Sequence, residues 1–238
     1  MCTHLDFIST FKNISKAPSK AAKGRIAKKT GIHGLPGLWR VGSLDYACSA
    51  PWEWFHLLLE NVIPNLVNLW TGQFKGLESS TDEFTITAKV WEEIAQEMMA
   101  AVQHIPTVFI QVLGNIAMNC LQFTADLWCF WFLYVTPILL ENQFLKQKYY
   151  VHVCELSALM KLMLRFHLTE EEVGNIEVWL QKWVQKYEKY YYQYHIEHLP
   201  ACTLTVHSLL HITEGIHYCG PAWTTWSFFM ERYCGTLQ

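Results

Sequence analysis

Paired cysteine spacing is missing from the 238 residues: no Cys-x-x-Cys occurs among Cys2, Cys48, Cys120, Cys129, Cys154, Cys202, Cys219 and Cys234. Several of these stand in apolar company such as "LWCFWF", which argues against a disulfide framework or a zinc knuckle and for buried thiols in a reducing compartment. Long apolar runs are lacking too. The most hydrophobic stretch, Leu127 to Leu140, is 14 residues long and contains Pro137, too short to cross a bilayer, so no membrane partner is expected. "MCTHLDFISTFKN" has no uninterrupted apolar core and does not read as a secretory signal. There is no Gly-rich phosphate loop, no Gly-x-Ser-x-Gly elbow, no Cys/His catalytic pair and no internal repeat. Strand signals are few, the best being the short "EFTITAKV". Acid is absent over residues 12–40, which carry eight cations: Lys12, Lys16, Lys20, Lys23, Arg25, Lys28, Lys29 and Arg40. The net charge of −3 therefore hides an acidic remainder, and the stretch reads as a basic arm of the kind that neutralises phosphates.

What the chain does contain is apolar and aromatic weight, 51% and 15%, enough to order most of its length around a core. Helix punctuation dominates beyond residue 50. "SAPWEWFHLLLENVIPNLVNLWTG" starts at Ser-Ala-Pro, is interrupted at Pro64 and ends on Gly72. Thr87 and Thr124 are expected N-caps of the next helices, and a further helix is expected over Tyr149 to Phe166. Thr169 with Glu172 forms a capping box that opens a helix to about Tyr194, with Val173, Ile176, Leu180, Val184, Tyr187, Tyr191 and Tyr194 on one face. Helices over Thr203 to Tyr218 and Trp226 to Cys234 complete the pattern. The fold class this implies is mainly α, a helical bundle or array with few or no strands. Residues 1–40 are expected as a poorly ordered basic arm and residues 41–238 as one helical domain.

Candidate chemistry is confined to Glu-His pairs, tyrosines and the C-terminal acid. Glu53, His56 and Glu60 fall on one helical face, and His207, His211, Glu214 and His217 repeat the geometry. Two Glu-x-x-His elements are what a carboxylate-bridged di-iron bundle needs, which makes a metal-binding bundle one alternative. The tyrosines of "KYEKYYYQYH" serve either as core or as base-stacking platforms. Glu231, beside Arg232 in "CGPAWTTWSFFMERYCG", reads as half of a structural ion pair or as a carboxylate held for metal chemistry.

Taken together and in order, "KKTGIHGLPGLWRV", "APWEWFHLLLENVIPNLVNLWTGQFKGL", "VWEEIAQEM", "YYYQYHIEHLPACTLTVHSLLHI", "CGPAW" and "FFMERYCG" resemble the C-terminal part of CACTA-like and Kyakuja-Dileera-Zisupton-like DNA transposases. The resemblance runs from about residue 28 to residue 237. It implies kinship with RNase H-fold nucleases, in which two aspartates and a glutamate hold two divalent metals about 4 Å apart to clamp an in-line displacement. It also implies that the helices belong to the large insertion preceding the final glutamate. Glu231 then stands at the position of that glutamate, and Glu53 and His56 at a signature where the family usually has Asp or Cys before the His.

The departures are equally specific. Glutamate replaces the usual aspartate at Glu53, Phe55 replaces a common methionine, His195 and Ile196 stand where Asp-Pro is typical, and Phe229 replaces a proline. Neither Asp6 nor Asp45 lies in the context of the family's two catalytic aspartates. The expectation is therefore a truncated or degenerate transposase in the nucleus, inactive alone in strand cleavage and transfer, with no cofactor bound by this chain although magnesium is implied for the full-length family. The expected partners are DNA, held weakly through Lys16, Lys20, Lys23, Arg25, Lys28 and Lys29, and a full-length transposase. A DNA-binding or transposase-partner module is the other alternative.

Overall fold

The computed structural model describes residues 3–49, 51–77, 82–102, 104–105, 114–119, 123–228, 230 and 233. Helix accounts for 68% of the structure, with no strand among the described residues, so the chain is mainly α as the punctuation implied. It divides into two compact units, Met1–Pro51 and Trp52–Gln238.

In the first unit, α1 (His4–Lys16) and α2 (Lys20–Thr30) cover most of the stretch anticipated as an arm. Local chemistry starts and stops both. Thr3 and Asp6 close a capping box on α1, the Ser19 hydroxyl accepts from Ala22 N–H at the start of α2, and Gly31 ends it at φ +75°, a left-handed turn that glycine adopts without a steric cost. Phe11 and Ile14 of α1 and Ala27 of α2 are buried, and the edge of Tyr46 lies against Phe11 at 4.9 Å. The two acids of this unit are both engaged locally. The Asp6 carboxylate is taken up by Thr3, and that of Asp45 accepts from Ala47 N–H at 2.9 Å.

The second unit begins with a π-helical segment, Phe55–Val62, that runs directly into α3 (Ile63–Trp70). A helix break was expected at Pro64, yet the chain stays helical through it. Proline lacks an N–H and its ring collides with the carbonyl four residues back. The wider π turn, in which Ile63 N–H reaches Leu58 C=O five residues back, relieves that conflict just before the proline. The device recurs: α6 (Ala125–Phe130) widens into the π segment Trp131–Val135, Thr136 N–H bonds Trp131 C=O, and α7 (Thr136–Leu139) then begins with Pro137 at its second residue. Between these stretches lie α4 (Ala88–Val102), capped by Thr87, and α5 (Ile116–Asn119). Thr124 occupies the N-cap position of α6, but its hydroxyl makes no capping bond.

"EFTITAKV" forms no strand. Phe84 and Ile86 do alternate into the core as a strand would, at 1% and 3% exposure, but no described segment pairs with them along the backbone. Ile86 N–H donates to Trp70 C=O at 2.7 Å, Glu83 pairs with Lys146 and Lys148, and α4 follows at once.

Two long helices, α8 (Gln147–Met163) and α9 (Glu170–Tyr187), pack side by side as the spine of the unit. The Thr169–Glu172 capping box starts α9 as anticipated. Its predicted apolar face is buried as far as Tyr191, at the end of a third π segment, Glu188–Tyr192. Tyr194 departs from that face. Gln193 and Tyr194 turn left-handed, at φ +56° and +59°, and swing the Tyr194 ring to 66% exposure. A 3₁₀ turn, Ile196–Ala201, leads to α10 (Leu204–Ser208) and α11 (Ile212–Cys219), which Gly220 ends at φ +90°. The core is dense in large rings: Trp54, Trp70, Trp131, Trp183, Tyr149, Tyr187, Tyr191, Phe84 and Phe132 are all fully buried.

Candidate functional site

The most concentrated polar constellation forms where the start of the second unit meets its end. Glu53 lies two residues before the start of the first π segment, and its carboxylate accepts from the Phe55 and His56 N–H groups at 3.0 and 2.9 Å. Its Oε2 also contacts His56 Nδ1 at 2.5 Å. From 174 positions away, Ser227 delivers its backbone N–H to Glu53 Oε1 at 3.1 Å and its hydroxyl to Glu53 Oε2 at 3.3 Å. Ser227 Oγ is also 3.3 Å from His56 Nδ1. Aromatic edges close the floor, with Phe228 meeting Phe55 at 4.5 Å and Trp226 meeting Phe228 at 5.0 Å. Glu60 stands on the far side of the imidazole, Oε2 at 3.9 Å from Nε2, beyond direct hydrogen-bond distance.

This arrangement does not make a serine nucleophile. A serine–histidine–acid relay needs the hydroxyl on one ring nitrogen and the acid on the other, whereas Ser227 and Glu53 converge on the same Nδ1. What it does make is a tie: one carboxylate caps a helix, orients an imidazole and holds a distant segment. Ser227 escaped the reading of the sequence. Its position in the "TTWSFFMER" string was the only signal, and nothing in a lone serine announces a partner 174 residues away.

The sequence pairs Glu53 with His56, and the structure brings them into contact. Glu231 and Arg232 lie outside the described residues, as do Phe229 and Cys234 of the helix anticipated over Trp226 to Cys234; Phe228, Met230 and Tyr233 are helical, and Trp226 and Ser227 are not. The second Glu-x-x-His element is split between α10, a 3₁₀ turn and α11. There His211 Nδ1 stands 3.4 Å from Glu214 and His217 Nδ1 3.6 Å from Glu170. Among the described residues no three His, Cys, Asp or Glu side chains converge as metal ligands, so those residues do not fit a two-metal centre. No described helix is long and apolar enough to cross a membrane.

The tyrosine stripe divides. Tyr187 and Tyr191 belong to the core, their hydroxyls bonded to Ala201 C=O and Trp70 Nε1–H, and burial pushes both phenols far up. Tyr190 and Tyr194 instead border an open cleft of about 480 Å³ with Lys148, Lys189, Glu83 and Asp82. The Lys148 ammonium lies over the Tyr149 and Tyr190 rings at 4.7 and 5.2 Å. Burial, with the charge of Glu83 adding to it, raises the Tyr149 phenol to about 12.

Lys16 ends α1, and Lys20, Lys23, Arg25, Lys28 and Lys29 lie on α2; all six are exposed. Comparison of the chain with protein-family models, with characterised proteins and with solved structures returns no match.

Proposed function

We propose that these residues are the helical part of a DNA transposase and that they do not by themselves cut or transfer DNA strands. One observation carries the reading. The signature pair Glu53–His56 and the string ending in "FFMER", which lie 171 or more residues apart, meet through Ser227, Phe228 and Phe55. A C-terminal catalytic helix has to be anchored against the insertion that precedes it, and this contact supplies such an anchor. Inactivity in isolation follows from the acids. Cleavage by a two-metal centre needs several carboxylates around one pair of cations. Asp6 and Asp45 instead serve as local caps, and Glu53 is consumed by three N–H groups and an imidazole.

Two measurements test the reading. Supercoiled plasmid incubated with the pure 238-residue chain and magnesium or manganese should stay intact. Nicking that disappears in Glu231→Gln would overturn the claim of inactivity. Sequencing the genomic DNA before the Met1 codon tests descent: an encoded cysteine-rich region with two aspartates in nuclease context is expected, and sequence unrelated to transposases there would overturn it.

A further inference from the structure

We propose that the cleft between the start of α8 and the end of α9 is a binding site for a small aromatic anion, a single ring bearing a carboxylate or a phosphate. The proposal stands on that cleft alone and depends neither on the Glu53–Ser227 tie nor on a role in strand transfer.

Backbone irregularity is the first observation. The π segments Phe55–Val62 and Trp131–Val135 accommodate Pro64 and Pro137, but the third, Glu188–Tyr192, has no proline to accommodate, the next in the chain being Pro200. Gln193 N–H closes that segment on Glu188 C=O at 2.7 Å. Gln193 and Tyr194 then turn left-handed in succession, a conformation in which a side chain crowds its own backbone. What the two departures achieve is placement: Tyr190, Gln193, Tyr194 and His195 come to line one cleft. Widened helical turns and left-handed residues other than glycine concentrate at ligand sites, where the surrounding structure holds them.

Charge is the second. Trp52–Gln238 carries ten cations against nineteen acids, a formal −9, yet the sign reverses here. Lys148 and Lys189 line the cleft and Lys146 borders it, against the two acids of the lining, Asp82 and Glu83. Both acids are already engaged. Glu83 pairs with Lys146 and stands 3.6 Å from Lys148, while Asp82 Oδ2 is buried and 3.7 Å from His198 Nε2. Lys189 is exposed and joins no ion pair among the described residues. The charge left for a guest is therefore positive, and a carboxylate or phosphate answers it.

The rings supply the third. Tyr194 meets Tyr192 in a T-shaped contact at 5.5 Å and leaves 66% of its surface exposed, so a planar guest can lie against it while its anionic group reaches Lys189. A cationic guest is disfavoured, because the Lys148 ammonium already lies over the Tyr149 and Tyr190 rings at 4.7 and 5.2 Å. A volume of about 480 Å³ suits a small molecule.

Calorimetric titration of the full chain with phenyl phosphate and with benzoate at low ionic strength tests this. At least one should bind about tenfold more tightly than inorganic phosphate, acetate or benzyl alcohol, which carry the charge or the ring alone. Benzyltrimethylammonium, a ring of the opposite charge, should not bind. Lys189→Gln removes the unpaired cation from an exposed position and should weaken binding about tenfold. Tyr194→Gly removes the ring and frees the left-handed backbone, so binding should fall several-fold while the thermal midpoint does not. Failure of both aromatic anions to bind, equal binding of inorganic phosphate or benzyltrimethylammonium, or full affinity in Lys189→Gln or Tyr194→Gly would each overturn the proposal. Far tighter binding of phosphotyrosine within an alanine peptide than of phenyl phosphate would also overturn it, by making the occupant a protein.

Discussion

His152 shows how a single buried residue sets a pH limit on this fold. Its ring stacks on Trp183 at 4.3 Å, and its Nε2 lies 3.1 Å from Trp183 C=O, while Trp183 Nε1–H returns a bond to His152 C=O at 2.9 Å. A carbonyl accepts only, so Nε2 carries a proton, while Nδ1 has no partner among the described residues. Burial drives its pKa down to about 3, against the opposing bond to Trp183. An unfolded histidine binds its proton near 6.5, so between pH 6.5 and about 3 the unfolded chain holds a proton that the native chain refuses. Stability from this group is complete above pH 6.5 and is lost as the pH falls through that window, by about 2 kcal/mol from pH 7 to pH 5. Urea unfolding of the parent and of His152→Gln at both values should show that loss in the parent and a smaller one in the variant.

Among the elements, α9 is where local chemistry and packing agree most closely. Thr169 Oγ1 accepts from Glu172 N–H at 3.2 Å, Glu172 Oε2 accepts from Thr169 N–H at 2.9 Å, and Arg165 pairs with the same carboxylate. Thr169→Ala should lower stability by about 1 kcal/mol in a urea or thermal melt, with Thr169→Ser close to the parent. The π segments are the other lesson at this scale. Proline at 64 announces a break that does not come, because widening by one residue, repeated before Pro137, satisfies the backbone and keeps Leu58, Leu59 and Phe132 inside. Such a choice is made by the surrounding core, not by the residues that adopt it.

At the scale of the molecule, the boundary at Pro51 separates a small basic unit from a large acidic one. The second unit holds the Trp, Tyr and Phe cluster and both ends of the Glu53–Ser227 tie. A chain beginning at Trp52 should therefore keep its far-UV signal and a single cooperative thermal transition. Loss of its cooperative melt would show that the larger core is incomplete without the first 51 residues.

By itself the sequence determined what short-range rules govern: the helical class, the caps at Thr87 and Thr169, the buried face of α9 as far as Tyr191, and the basic character of residues 12–40. These depend on hydrogen bonds and periodicities spanning a few residues, so they are written locally. The tertiary structure alone decided that Ser227 would complete Glu53, that Tyr194 would leave the core its neighbours share, that "EFTITAKV" would remain unpaired, and that the basic stretch would fold into a two-helix unit. Each depends on a partner distant in the chain or on which of several local conformations the packing rewards, and no window of adjacent residues contains that information.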